Sequence, residues 1–269
     1  MKKIVFFAVA VLAASGAMAE VVTLDKPGDW AKSSSLKFSE NGIMEFSGGR
    51  RSDVFSTPFK LKAGKKYIFS AEFRSKPGTP AGVAYIGNWS ISAKGKRILP
   101  ENIKVVSNTN TTLLEAAEKN TVKVVIAKPA GWRDNVAKRH WNLVMNTQDD
   151  FSDLPNMTYF KIKDAQVDGD KVVLTLGKKL NKTYPAGTRV RIHVSSTGMY
   201  GGLSNKKPAE EWKKITWTVS GTAEIGTNPC DKWWPGATQG AIRIIGNYKA
   251  QKDVVLQVRN VTMEVVDNK

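Results

Sequence analysis

The chain has 269 residues, 41 Lys and Arg against 24 Asp and Glu, and a formal charge of +17. A single cysteine excludes an internal disulfide, and with only two histidines beside it there are too few soft ligands for a transition-metal centre. The charge favours polyanions, or it serves solubility alone.

The N-terminus reads as an export signal. Lys2 and Lys3 precede an apolar run from Ile4 to Ala14, followed by Ala17-Met18-Ala19. This is the pattern of a secretory signal peptide over 1–19, with the mature chain starting at Glu20. The run is too short for a membrane anchor, no cysteine follows the cleavage site, and no later stretch is long and apolar enough to be a transmembrane segment. An exported protein, periplasmic or extracellular, makes nucleic acid a poor partner. Acidic or sulfated polysaccharide, anionic wall polymer or a membrane surface fits better.

Alternation with period two dominates the remainder of the chain. Tyr67, Phe69, Ala71 and Phe73 share one face of a strand, with Ile68, Ser70, Glu72 and Arg74 on the other. In "TTLLEAAEKN", Thr112 and Glu115 have capping-box spacing, which predicts a helix of about two turns to near Lys119. Val172, Leu174 and Leu176 form the next apolar face. Val190, Ile192 and Val194 come after it, with Arg189, Arg191 and His193 opposite. Ile215, Trp217 and Val219 repeat the pattern. Leu256 and Val258 are out of phase with Val261, Met263 and Val265, so a bulge is expected near Arg259 and Asn260. Turn signals such as Ser47-Gly48-Gly49, Lys76-Pro77-Gly78 and Asp168-Gly169-Asp170 separate the runs. Many short strands punctuated in this way predict an all-β sandwich or barrel.

Two stretches carry a family resemblance. "WAKSSSLKFSENGIMEFSGG" with "STPFKLKAGKKYIFSAEFRSKPGT", and "EEWKKITWTVSG" with "GAIRIIGNYKAQKDVVLQVRNVTMEVVD", resemble the opening and closing strands of the jelly-roll carbohydrate-binding modules (galactose-binding-like β-sandwiches) of secreted bacterial glycosidases. The resemblance covers roughly 25–95 and 210–268. It implies a jelly-roll β-sandwich built from 20–96 and 210–269, interrupted by a β-rich insertion over 97–209 that holds the short helix. It further implies a non-catalytic binder of polysaccharide. A structural calcium ion is common in such modules, though no ligand set stands out here, and no other cofactor is expected.

Sugar recognition on such modules uses aromatic rings that stack on pyranose faces, with polar groups around them. Trp233 and Trp234, in the turn-rich "TNPCDKWWPGATQG", are either presented rings or packing that closes the sandwich end. In "YIGNWS", Tyr85 and Trp89 share a face with Gly87 between them, and Asn88 lies on the other; core packing is the competing reading. Arg50 and Arg51 follow a Gly-Gly turn and suit a carboxylate or sulfate, or a solvated surface. Cys230 is a partly buried thiol, a reactive thiol or an intermolecular link.

Catalytic readings are weaker. A glycosidase needs two facing carboxylates, and Asp149, Asp150, Asp153, Glu210 and Glu211 all sit in turn-like contexts. A polysaccharide lyase would place a Tyr or His base near an Arg. Arg191, His193 and Tyr200 form the one such constellation, against an exposed strand histidine as the plain alternative. A structural or adhesive surface role is the remaining alternative to glycan binding.

Overall fold

The computed structural model describes residues 19–39 and 41–268; the expected signal peptide, except Ala19, lies outside them. In chain order the strands are β1 (Glu20–Thr23), β2 (Leu36–Phe38), β3 (Met44–Phe46), β4 (Ser52–Phe55), β5 (Phe59–Lys60), β6 (Lys65–Ser75) and β7 (Ala84–Ser92). Then come a one-turn helix α1 (Pro100–Ile103) and β8 (Thr111–Thr112), β9 (Lys123–Ala127), β10 (Trp141–Met145), β11 (Tyr159–Asp168), β12 (Lys171–Leu176) and β13 (Arg189–Val194). The chain closes with β14 (Met199–Lys206), β15 (Lys213–Ser220), β16 (Ala237–Gly246) and β17 (Leu256–Asp267). Among the described residues no helix is long and apolar enough to cross a membrane.

Two antiparallel sheets face each other. One runs β15-β6-β17-β3-β2 with β1 beside β17; the other runs β14-β7-β16-β4 with β5 beside β16. Taking β3, β4, β6, β7, β14, β15, β16 and β17 as the frame, first pairs with last, second with second-last, and so inward to β7 with β14. This nested pairing is the jelly-roll order, so the all-β sandwich expected from the sequence is present. Tyr67, Phe69, Ala71 and Phe73 point into the shared core with Trp217, Val219, Ile242 and Ile244, because successive strand side chains alternate between faces. The phase slip in β17 is a register shift between Arg259 and Thr262, with Asn260 in the left-handed region at φ 50°.

Between β7 and β14 sits a second body. Its strands run β8-β13-β10-β11-β12-β9. Beyond β8, Leu113 bridges Ile126 of β9, and the Leu114 N–H donates to the Val125 carbonyl at 3.0 Å, so the sheet closes into a small barrel. Inside lie Leu143, Phe160, Ile162, Leu174, Tyr184 and Ile192. Because β7 and β14 are the innermost pair of the folded ribbon, the barrel hangs from its tip. A long insertion there breaks no ladder of the sandwich.

Two local expectations fail. The segment from Thr112 to Lys119 is not helical: it bridges neighbouring chain at Leu113 and Ala117, with a bend between them and a turn at its end. Leu113 and Ala117 are buried, and Ala117 exchanges two backbone hydrogen bonds with Tyr184, at 2.8 and 2.9 Å. Their i, i+4 spacing serves barrel closure, which outweighs the local capping signal. The helix forms instead at Pro100–Ile103, where Pro100 supplies a preset φ at the first position and Asn102 Oδ1 accepts the Leu99 N–H at 2.7 Å. Within the stretch 97–209, β14 belongs to the sandwich. Its "GG" carries no alternation because Gly202 passes over Trp217, where an added Cβ would lie 2.8 Å from the ring.

Candidate functional site

The outer face of the β14-β7-β16-β4 sheet is not a solvated polar face. Tyr85 and Trp89 of β7, Arg243 of β16, Asp53 and Phe55 of β4 and Tyr200 of β14 gather there. Tyr85 packs against Tyr200 at 4.9 Å between ring centroids and against Tyr248, in the turn after β16, at 5.0 Å. Trp89 lies against Phe55 at 4.9 Å and donates its indole N–H to the Ile98 carbonyl at 3.0 Å. Guanidinium groups cover it: Arg243 at 4.2 Å and Arg97 at 4.8 Å from the ring centre.

Arg243 organises this face. Its Nε donates to Asp53 Oδ1 at 2.8 Å, its Nη2 donates to Asp53 Oδ2, and its Nη1 donates to the Tyr200 hydroxyl oxygen. Burial raises the Tyr200 phenol above its ordinary range, an effect opposed by Arg243, so it stays protonated. With its oxygen already accepting from Arg243, the Tyr200 O–H is left to donate outward. Arg51 pairs with Asp53 at 3.1 Å and lies 4.8 Å over the Tyr248 ring.

These groups line a cavity of about 510 Å³ that extends from the sheet face to α1 and residues 195–198. Arg97, exposed on the turn after β7, lies on the same face against Trp89 and Phe55; Lys94 and Lys96 on that turn, and Arg50, Lys249 and Lys252 on the loops before β4 and after β16, are exposed as well.

Of the residues singled out from sequence, Arg51, Tyr85, Asn88, Trp89 and Trp234 line this cavity; Arg50 and Trp233 do not. Arg50 is exposed and bonds Ser34 Oγ. The reading of Trp233 and Trp234 as presented rings is corrected by their burial, at 5% and 2% exposure in the sandwich core. Loop 221–236 folds across the sandwich end and plugs it with both indoles. Trp233 meets Tyr67 edge-on at 5.5 Å, and its ring fills the space left by Gly240, where a Cβ would lie 2.6 Å away. Trp234 donates its indole N–H to the Pro229 carbonyl at 2.9 Å and forms part of the cavity wall. Trp89 is likewise nearly buried beneath its two arginines, at 9% exposure. It is therefore the floor under Arg243, while Tyr85, Tyr200 and Tyr248 are the accessible rings.

Asn88 points inward. Its Oδ1 accepts the Trp217 indole N–H inside the sandwich, while its Nδ2 is buried without a hydrogen-bond partner. Gly87 opens no landing place for a sugar ring, because the β14 backbone occupies it; a Cβ there would lie 1.9 Å from the Met199 carbonyl oxygen. Cys230 is a half-buried free thiol, 3.6 Å from the Gly198 carbonyl.

The constellation Arg191, His193 and Tyr200 does not assemble, and His193 is not an exposed strand histidine. Arg191 and His193 are fully buried where α1 and the segment after β10 cover β13. Arg191 Nε donates to His193 Nε2 at 3.0 Å, which leaves the His193 proton on Nδ1, directed at the Glu101 carbonyl at 2.9 Å. Burial, then the neighbouring Arg191 charge, lowers the His193 pKa to about 4. Tyr200 lies elsewhere, on Arg243. Among the carboxylates, Asp153 pairs with Arg191, Asp150 accepts the Ser152 N–H, and Glu210 accepts the Gly78 N–H. Among the described residues no group of three or more His, Cys, Asp or Glu side chains is placed to hold a metal ion.

Sequence reasoning missed Arg243, Tyr248 and Asp53 altogether, and saw Tyr200 only as a catalytic partner. One signal was available: Arg243 stands alone in the apolar run Ala241–Ile245, where an isolated charge implies a facing partner.

No protein-family model matches the chain, and no curated protein matches it. Among solved structures it is similar to a lectin from Bauhinia forficata in complex with GalNAc, at 9% identity and TM-score 0.31 over 94% of this chain and 100% of that one. It is similar also to the Emp47p carbohydrate recognition domain, at 11% identity and TM-score 0.26 over 90% of each chain. A looser similarity is to infectious bursal disease virus, Gx strain, at 8% identity and TM-score 0.19 over 93% of this chain and 41% of that one. At these scores the likenesses carry no argument about the site, which is read from its own residues.

Proposed function

We propose that the chain is an exported, non-catalytic carbohydrate-binding protein whose ligand is an acidic polysaccharide. The observation that carries this reading is the cavity on the outer sheet face, where Tyr85, Tyr200 and Tyr248 cluster beside Arg51 and Arg243. Tyrosine rings offer apolar faces to the C–H side of a pyranose, and each ring so covered contributes about 1–2 kcal/mol at roughly 25 cal/mol per Å². The Tyr200 hydroxyl and the arginine N–H groups meet hydroxyls and carboxylates. Arg51, Arg97 and Arg243 on the face, in a chain of net charge +17, favour a uronate or sulfate over a neutral sugar. Export is supported by the N-terminal sequence pattern alone.

Affinity electrophoresis through gels containing hyaluronan, xanthan, polygalacturonate, alginate or dextran tests the reading. Retardation by at least one acidic polymer that survives moderate salt, and that Tyr85→Ala abolishes, is the expected result. Retardation by every polyanion that vanishes with salt would reduce the interaction to net charge. No retardation by any polymer would leave a structural or adhesive role as the better account.

A further inference from the structure

We propose that the binding track does not end at this cavity but continues over a hydroxyl-bearing ridge into a second cleft, which takes neutral sugar residues of the same chain. The inference rests on the carbohydrate reading above and extends it: the ligand is held along its interior, and it contains uncharged residues as well as acidic ones.

The second cleft, of about 690 Å³, lies where the barrel meets the sandwich. One wall is barrel loop, with Asn108, Asn110, Asp149 and Phe151; the other is the sandwich loop Ile225–Thr227. Phe151 is half-buried and held at φ 61°, a left-handed conformation that is uncommon for a bulky residue. The Arg191 guanidinium lies 4.8 Å from its ring centre, so Phe151 is fixed from below. On the opposite wall Ile225 is 55% exposed, a large apolar side chain with no core to fill. An anchored aromatic ring and an exposed aliphatic group on opposite walls, with two asparagine amides beside them, match a pyranose: apolar faces and a belt of hydroxyls.

Charge separates the two clefts. Asp149 is paired with Arg189 and accepts from Asn110 at 3.3 Å, so its carboxylate is balanced. The first cleft is lined by Arg51 and Arg243, both of which also bond Asp53, and by Glu101; no Lys or Arg lines the second. An acidic residue therefore finds cations only in the first cleft, and the second, which offers none, suits neutral ones.

The two are neighbours. Asn228 donates to Ser196 Oγ at 2.8 Å and to the Thr197 carbonyl at 3.0 Å, and the Val105 N–H donates to the Gly226 carbonyl at 3.3 Å. Ser195, Ser196 and Thr197 line the first cleft, while Val105, Gly226 and Thr227 line the second. One ridge thus forms a wall of each, and Ser196, Thr197 and Thr227 on it are exposed, with the Thr227 hydroxyl donating to the Glu224 carbonyl and the Ser196 hydroxyl accepting from Asn228. A chain that crosses it engages both clefts at once, and the second contact is favoured by the high effective concentration set by the first.

The test uses the same five polymers, with long fragments and disaccharides prepared from any that the protein retains. Ile225→Ser alters an exposed side chain and is expected to fold normally. It should weaken binding of long fragments about threefold or more and leave disaccharide binding unchanged. Phe151→Ala, checked by its melting temperature, should do the same, whereas Tyr85→Ala should weaken both. Hyaluronan and xanthan, which contain neutral residues, should bind more tightly than polygalacturonate and alginate, which do not. If Ile225→Ser and Phe151→Ala bind long fragments as the parent does while Tyr85→Ala fails, the second cleft is overturned and the first stands. Equal affinity for the purely acidic polymers would overturn its neutral chemistry. Absence of binding to all five would bring down both readings together.

Discussion

Two arginines in this molecule make nearly the same contacts and do different work. Arg243 pairs with Asp53 and lies 4.2 Å from the Trp89 ring centre; Arg191 pairs with Asp153 at 2.9 Å and lies 4.8 Å from Phe151. Their environments differ. Arg191 and Asp153 are closed in at the barrel junction, at 0% and 7% side-chain exposure. Nη1 of Arg191 reaches the Gln148 carbonyl, Nε reaches His193, and Asp153 also accepts from the Gln148 N–H and from Asn156. Arg243 and Asp53 sit at an open face, at 11% and 30% exposure, and the third donor of Arg243 holds the hydroxyl of a cleft residue. A guanidinium that spends its donors on backbone and core groups fixes the fold. One that directs a donor to a tyrosine at an open face fixes a surface group, as the proposed glycan site requires.

The contrast breaks most visibly at the buried pair. Asp153→Ala leaves Arg191 charged and unmatched where water cannot reach it, and should cost about 3–5 kcal/mol of stability. Chemical denaturation would register this as a lower midpoint. A midpoint within error of the parent would mean that water enters the junction and that the pair is no different from the exposed one.

The junction should also titrate. His193 is neutral in the fold, with its pKa lowered to about 4 from an ordinary 6.5, chiefly by burial. Because the unfolded chain binds this proton more readily than the folded one, the stability conferred by neutral His193 is fully present above pH 6.5. It is lost as pH falls from there towards 4, by up to about 3 kcal/mol. Denaturation midpoints of the parent and of His193→Gln across that window check the sign. The parent should fall more steeply, and parallel curves would assign the acid sensitivity to other groups.

At the open face the expected effects move from stability to binding. Arg243→Met keeps an apolar contact on Trp89 but removes the cation–π contact and the hydrogen bonds to the Tyr200 hydroxyl and to Asp53, which retains Arg51. Glycan affinity should drop about tenfold, equivalent to about 1.4 kcal/mol. The loss in stability should be clearly smaller than that of Asp153→Ala. A variant that unfolds as readily as Asp153→Ala would place both arginines in the same structural class.

Legibility in the sequence obeys the same division between one-sided and two-sided environments. Tyr67, Phe69, Ala71 and Phe73 announced their strand because one face is core and the other is more open. The strand Arg189–Val194 has both faces covered, so Arg191 and His193 looked like an exposed polar face when they are the buried centre of a junction. Thr112 to Lys119 carried a helix-like pattern that only the distant partners Ile126 and Tyr184 convert into barrel wall. The adjacent tryptophans suggested a presented platform, but whether loop 221–236 lies over the sandwich end or away from it is decided by Tyr67, Phe59 and Gly240, outside the loop itself. The cleft was half legible for a related reason. Tyr85 and Trp89 share a strand and show their common face locally. Tyr200, Arg243 and Tyr248 reach them only through the pairing of β14 and β16 with β7, which no local pattern encodes.

The smallest effect tests charge alone. The Arg97 guanidinium lies 4.8 Å from the ring centres of both Phe55 and Trp89, yet the residue is exposed. Unlike Arg243 it adds charge to the face without fixing another side chain by hydrogen bond. Arg97→Gln should therefore leave the melting temperature nearly unchanged and weaken binding of an acidic polymer by about threefold at low salt, less at moderate salt, because an exposed charge is screened within about 10 Å at 0.1 M ionic strength. Arg243→Met, which also releases Tyr200, should show a larger loss, of which the part due to charge is screened and the part due to the position of Tyr200 persists at moderate salt. If the two variants share one salt dependence, Arg243 contributes only its charge. The distinction drawn between an arginine that organises and one that merely attracts would then lapse for this face.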